Sequence, residues 1–191
     1  MYDAAPDPYC YPGTTVLKNL LDIRDQALLN EVEALFTAAR GEGPFPKGRL
    51  SASHYTAIHH HIFHDLYPWA GRYRTVRISK DGSAFCYPEN IDREMKALFA
   101  ALKHDHFFRD LSHEDFAAKA AAFLSTLNAI HPFREGNGRT QTSFLTLLAE
   151  KAGHPLALDR LVPEHFLAAM VASFKGNDNM LEEQILLITG K

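Results

Sequence analysis

The chain has 191 residues, 46% of them hydrophobic, and a formal net charge of −3. That length and apolar fraction suit one domain spanning residues 1–191, and the small negative charge argues against direct binding of nucleic acid or an anionic membrane. Cys10 and Cys86, the only two cysteines, form no CxxC spacing, which argues against a zinc site or a disulfide scaffold and fits a reducing cytoplasm. The opening MYDAAPDPYC lacks an export signal's basic-then-apolar pattern, and no stretch approaches the ~20 apolar residues of a membrane span, so a cytoplasmic location is expected.

Residues 1–13, rich in proline and tyrosine, read as an extended arm. Thr14 or Thr15 can cap a first helix with Val16, Leu20 and Ile23 on its apolar stripe. The spacing of Leu28, Val32, Leu35 and Phe36 predicts a helix over Arg24–Arg40, stopped at Gly41 by a Gly/Pro-rich loop. Helical spacing resumes at about Ser51 through Tyr55, Ile58, Ile62, Phe63 and Leu66, and ends near Pro68.

Tyr73 to Tyr87 departs from that period. Tyr73, Val76 and Ile78 are β-formers, Ser79 to Ser83 is turn-like, and Ala84 to Tyr87 is apolar again, which predicts a short β-hairpin at about residues 73–87. Asn90 can cap a helix over Ile91–Lys103. Ser112 with Asp115 forms a capping box for a longer helix carrying Phe116, Ala120, Phe123, Leu127 and Ile130 inward to His131. Further helices are expected over Arg139–Ala152, from Pro163, and over Leu181–Ile188. The fold class is therefore all-α with one hairpin.

Between two of these helices lies HPFREGNGRT, His131 to Thr140. Glycines at Gly136 and Gly138 allow backbone N–H groups to converge on an anion, and a helix beginning near Gly138 adds its positive end. Arg139 can neutralise and orient a phosphate. Glu135 offers the oxygen ligand that Mg2+ takes alongside substrate phosphates, and His131 remains for proton transfer. His54, His59, His60, His61 and His64 include an i, i+4 pair at His60 and His64, but no carboxylate or cysteine lies at matching spacing to make a metal site of it.

The run resembles the Fic family signature, H-x-F-x-(D/E)-G-N-G-R-x-x-R, at His131, Phe133, Glu135, Gly136, Asn137, Gly138 and Arg139. Thr142 stands where the family has its second arginine. DPYCYPGT from Asp7 to Thr14, IHHHIFHDLYPWAGRYR from Ile58 to Arg74, and ISKDGSAF from Ile78 to Phe85 are similar as well, so the likeness covers nearly the whole chain.

The resemblance implies a Fic-type helical bundle and a protein adenylyltransferase that moves AMP from Mg2+-bound ATP to a hydroxyl side chain of a target protein. It implies His131 as the base, Glu135 as the Mg2+ ligand, and Gly136, Asn137, Gly138 and Arg139 as the nucleotide site, with Arg139 on the β-phosphate. Asn128, one turn before His131, either helps order the site or lies at a solvent edge. Thr142 falls where the γ-phosphate would be met, which implies weakened or altered AMP transfer. The hairpin resembles a flap that aligns an extended target segment by strand addition, with Ile78, Ser79, Lys80 and Phe85 lining it. Phe85 is read equally as a clamp and as a core anchor. The nearest match to the family's inhibitory (S/T)-x-x-x-E-(G/N) helix, Thr146 to Glu150, is followed by Lys151 and lies just after the signature, so restraint by a separate small antitoxin carrying that helix is implied. In that toxin-like subgroup, targets can include type II topoisomerase subunits. Two alternatives stand beside this: a non-catalytic module that binds a nucleotide or partner, and transfer of a different nucleotide or phosphate-containing group.

Overall fold

The computed structural model describes residues 7–80 and 83–189. Asp25 caps α1 (Gln26–Glu42) by accepting the Leu28 N–H, and Ser51 caps α2 (Ala52–Phe63) by accepting that of His54. A two-stranded antiparallel hairpin follows, β1 (Ser79–Lys80) and β2 (Ser83–Ala84), paired Ser79 to Ala84 and Lys80 to Ser83. The strands therefore take in the ends of the expected turn, Ser79 to Ser83, with Ala84, and do not lie on Tyr73, Val76 and Ile78. Residues 81 and 82 of that turn lie outside the described residues, as do residues 1–6 of the arm. Then come α3 (Pro88–His104), α4 (His113–Ile130), α5 (Asn137–Ala152), α6 (Pro163–Phe174) and α7 (Asn179–Thr189). Short 3₁₀ turns occupy His106–Phe108 and Leu158–Arg160.

α4 is the central element. It packs against α3, α5, α6 and α7, and eight of its side chains are buried. Beside it Tyr55, Phe99, Phe123, Phe133 and Phe144 form an aromatic knot, joining α2, α3, α4, α5 and the signature loop. Burying each such ring is worth ~1.5–3 kcal/mol, so the loop's Phe133 anchors the site to the core.

Three helix boundaries depart from expectation for local reasons. Residues 14–24 form no helix. Tyr11 N–H donates to Val16 O at 2.9 Å and Lys18 N–H to Tyr9 O at 2.7 Å, folding the arm back on itself. Asn19 then donates to Leu17 O and Ile23 O and accepts from the Leu21 and Ile23 amides, and such side-chain bonds outcompete helix. Leu20, assigned to an apolar stripe, is 57% exposed. α3 begins two residues before Asn90, with Pro88 at its first turn, where a missing N–H costs nothing. α2 ends at Phe63 rather than near Pro68, because both Leu66 and Tyr67 turn back to bond Phe63 O.

Candidate functional site

A cavity of about 910 Å³ opens where the hairpin, the end of α4, the start of α5 and one face of α6 meet. It is bordered by His131, Glu135, Asn137, Gly138, Arg139 and Thr142 of the signature segment and by Ile78, Ser79, Lys80 and Phe85 of the flap. The sequence-derived site residues thus gather round one space, except that Gly136 packs behind it.

His131 is the C-cap of α4, with φ 48° and ψ 63°, a left-handed conformation unusual for a side chain-bearing residue. Its Nδ1 lies 3.3 Å from Asn128 O. A carbonyl only accepts, so the proton sits on Nδ1 and Nε2 keeps its lone pair. Burial, reinforced by the charges of Arg74 and Lys80, lowers the imidazole pKa to about 4 despite the opposing bond to Asn128. Phe85 stacks on the ring at 3.9 Å between centroids and also meets Phe174 of α6 at 4.8 Å. Asn128 donates its side-chain amide to Met170 O, tying α4 to α6 while its own carbonyl orients His131.

The loop after His131 is held from within. Asn137 Oδ1 accepts the Phe133 N–H at 2.9 Å and its Nδ2 donates to Phe133 O at 2.8 Å. Buried His59 accepts the Gly71 N–H at Nδ1, so its Nε2 carries the proton and donates to Glu135 O at 3.0 Å. The same ring stacks on Phe133 at 3.7 Å, and burial lowers its pKa to about 4. Among the described residues, no group of three His, Cys, Asp or Glu side chains gathers as a metal cluster, and His60 and His64 stack on each other instead.

The phosphate cradle differs from the nest expected of Gly136 and Gly138. Gly136 is the N-cap of α5 at φ 80°, its N–H donates to Glu135 Oε1 at 2.8 Å, and an added Cβ would stand 2.2 Å from the Phe63 ring. Its role is to make the turn, not to present an amide to the cavity. Asn137, Gly138 and Arg139 form the first turn of α5, whose N–H groups lack helical acceptors, and a Cβ at Gly138 would meet nothing within 4 Å. That open helix end borders the cavity. Thr142 donates its hydroxyl to Gly138 O at 3.2 Å, and Arg134 is committed to Asp7 at 2.9 Å.

Arg139 has neighbours that periodicity did not expose. Its Nη2 pairs with Glu33 Oε1 at 2.5 Å and reaches Glu135 Oε1 at 3.5 Å, Nη1 donates to Thr37 at 3.3 Å, and the group lies over the Phe63 ring. Tyr67 donates to the other oxygen of Glu33. Glu33 and Thr37 sit four apart on α1, a helix read only for its apolar stripe; that i, i+4 polar pair was the available signal. Glu135 is 44% exposed at the cavity edge, so a single carboxylate with room for water and phosphate oxygens suits Mg2+. The apolar far wall comes from Phe166, Leu167, Met170 and Phe174 of α6, also unassigned from sequence.

A helix N-terminus, a neutral imidazole and a guanidinium border one cavity in a helical protein, a set whose chemistry suits a phosphorylated ligand. Residues 49–149 match the model of the Fic/DOC family. The probable protein adenylyltransferase y4lH of Sinorhizobium fredii is 50% identical, over 92% of both chains. Protein adenylyltransferase VbhT of Bartonella schoenbuchensis is 37% identical over 96% of this chain, which spans 39% of VbhT. The crystal structure of BepC, a VirB-translocated effector of Bartonella tribocorum with bound AMPPNP, superposes with a TM-score of 0.83 at 28% identity, over 94% of this chain and 95% of that one. The chain belongs to the Fic/DOC family.

Proposed function

We propose that this chain, an enzyme of the protein adenylyltransferase class, moves AMP from Mg2+-bound ATP to a hydroxyl side chain of a target protein. The observation that carries this reading is that His131, with its Nε2 lone pair kept free, borders the same cavity as the open first turn of α5. In the step, the target oxygen attacks the α-phosphorus in line, its proton passes to His131 Nε2, and the bond to the β-phosphate oxygen breaks to release pyrophosphate. The N–H groups of Asn137, Gly138 and Arg139 receive phosphate oxygens, and Arg139 offers the donors that Glu33 and Thr37 leave unused. Glu135 would hold Mg2+, which when bound would supply charge neutralisation. The flap's Ser79 and Lys80 are exposed, free to pair with an extended target segment, while Phe85 covers the base.

The test is incubation with labelled ATP and candidate proteins, comparing the parent with His131→Ala and Thr142→Arg. Label in the parent that His131→Ala loses supports the reading. No label from either the parent or Thr142→Arg, or equal label from His131→Ala, sinks it.

One observation favours a second reading. Thr142 spends its hydroxyl on Gly138 O and brings no cation to the cavity, so a donor lacking a γ-phosphate, such as a different nucleotide or phosphate-containing group, fits equally. Competition among nucleotides separates the two. If Mg2+-dependent ATP binding occurs without transfer to any acceptor, the chain is a binding module instead. Regulation by a separate small antitoxin with an (S/T)-x-x-x-E-(G/N) helix is part of the proposal, and co-purification from the native operon without a companion overturns it. Among the described residues no helix is long and apolar enough to cross a membrane.

A further inference from the structure

Helix C-termini leave their last carbonyls without intrahelical donors, and a buried end must find others. At the end of α4, Asn128 O takes the His131 ring proton, and the donors to the carbonyls that follow come from the two arms of the flap. Cys86 N–H donates to Ala129 O at 3.0 Å, Arg74 Nη2 to Ile130 O at 3.2 Å, Arg74 Nε to His131 O at 2.8 Å, and Arg74 N–H to Pro132 O at 2.8 Å. Four consecutive carbonyls, 129 to 132, are therefore bound by the flap base. The same guanidinium also reaches Val76 O at 2.7 Å on the incoming arm and Cys86 O at 2.6 Å on the outgoing arm. Arg74 is 2% exposed, and each of these side-chain bonds ends on a carbonyl oxygen. A guanidinium's fixed fork meets such a set; an ammonium, compact and without a fork, does not.

We propose that Arg74 is a positioning residue that locks the target flap and the main chain of His131 into one rigid unit. The inference rests on the transfer reading for its kinetic arm. His131 holds a left-handed conformation that persists only where its surroundings over-determine it, and the bond to its carbonyl is one such constraint. Phe85, next to Cys86, stacks on the same imidazole, so the flap meets His131 through both main chain and ring. The distance between the base and a target segment laid on the flap is thereby set by this joint, in which Arg74 is the one side chain that bonds both arms of the flap and the His131 carbonyl, while the phosphate cradle on α5 is held separately.

The test compares the parent with Arg74→Lys and Arg74→Gln. Binding of MgATP by calorimetry stays within about twofold of the parent, because no cradle residue is touched, whereas turnover in the labelled-ATP assay falls by about tenfold or more, the scale expected of a misplaced base. Loss of binding and turnover in equal proportion, or unchanged turnover, overturns the proposal. If neither variant folds, the parent decides by native-state hydrogen exchange, which needs no transfer activity. The Arg74 N–H, Arg74 Nε–H and Cys86 N–H open with a common free energy if they form one unit. Exchange at Cys86 more than about tenfold faster than at Arg74 shows that the flap opens independently and overturns it.

Discussion

The two sides of the cavity are built from different interactions. On the base side, His131 and the flap are joined through main-chain carbonyls, a fully buried arginine and stacked rings. On the phosphate side, Arg139 is held by Glu33, Glu135 and Thr37 in an ion-pair set where the guanidinium is 38% exposed and Glu33 15%. The first arrangement has one geometry and no partner to exchange. The second can trade a carboxylate for a phosphate oxygen without moving the backbone. Under the proposed transfer reading, the base is held fixed while the anion site can adjust.

The two sides separate most visibly at His131. His131→Ala is expected to lower transfer by ~10²–10⁴-fold, the usual contribution of a positioned base, while MgATP binding is retained. Binding lost together with turnover contradicts the separation of the two sides. Gly136→Ala is next, because it strikes the hinge between them. The added methyl stands 2.2 Å from the Phe63 ring at φ 80°, so overpacking and left-handed strain together are expected to cost ~2–4 kcal/mol, read in urea unfolding. Parent-like stability shows that α5 can start elsewhere.

The difference between the sides also explains what could be read from sequence. His131, Glu135 and Arg139 are legible because the chemistry needs those types within a few residues. α4 is legible because Phe116, Ala120, Phe123, Leu127 and Ile130 keep one helical period, and all five are buried. Gly136 is legible as a special residue but not in its purpose: the spacing suggested an amide for phosphate, whereas Phe63, 73 positions earlier, takes the space a side chain needs. Arg74 looks like any surface arginine until the fold brings it under the end of α4, and Glu33 looks solvated until α1 lies along the site. The helix expected at residues 14–24 fails for the opposite reason, since Asn19's local bonds override a weak apolar period.

Thr142→Arg probes the adjustable side. A second cation beside the cavity is expected to tighten ATP binding by about 1.5 kcal/mol, or ~10-fold, with the gain shrinking as salt rises. Thermal stability should hardly move, because Thr142 is only partly buried and its hydroxyl bonds its own helix. Calorimetry across a salt series checks this. Unchanged affinity means that the bound phosphates do not reach this turn of α5.

The smallest expected effect is a flat line. With His131 at about 4, the base is already neutral throughout the neutral range, so transfer per folded molecule stays level from about pH 8 to 5 and falls only as the imidazole protonates. An ordinary imidazole would place that fall near ~6.5. Stability behaves otherwise. His131 and His59 both have folded-state pKa values of about 4, below the unfolded value, so between pH 6.5 and 4 the unfolded chain holds the extra protons. Their contribution is complete above about 6.5 and is lost as pH falls through that window. Urea midpoints should therefore decline from pH 7 to 5 while specific activity does not, and the stability gap between the parent and His131→Ala should narrow over the same range. An activity profile that breaks near 6.5 would mean that the base is solvated in the working enzyme and that Phe85 has left it, which removes the rigid unit from the base side altogether.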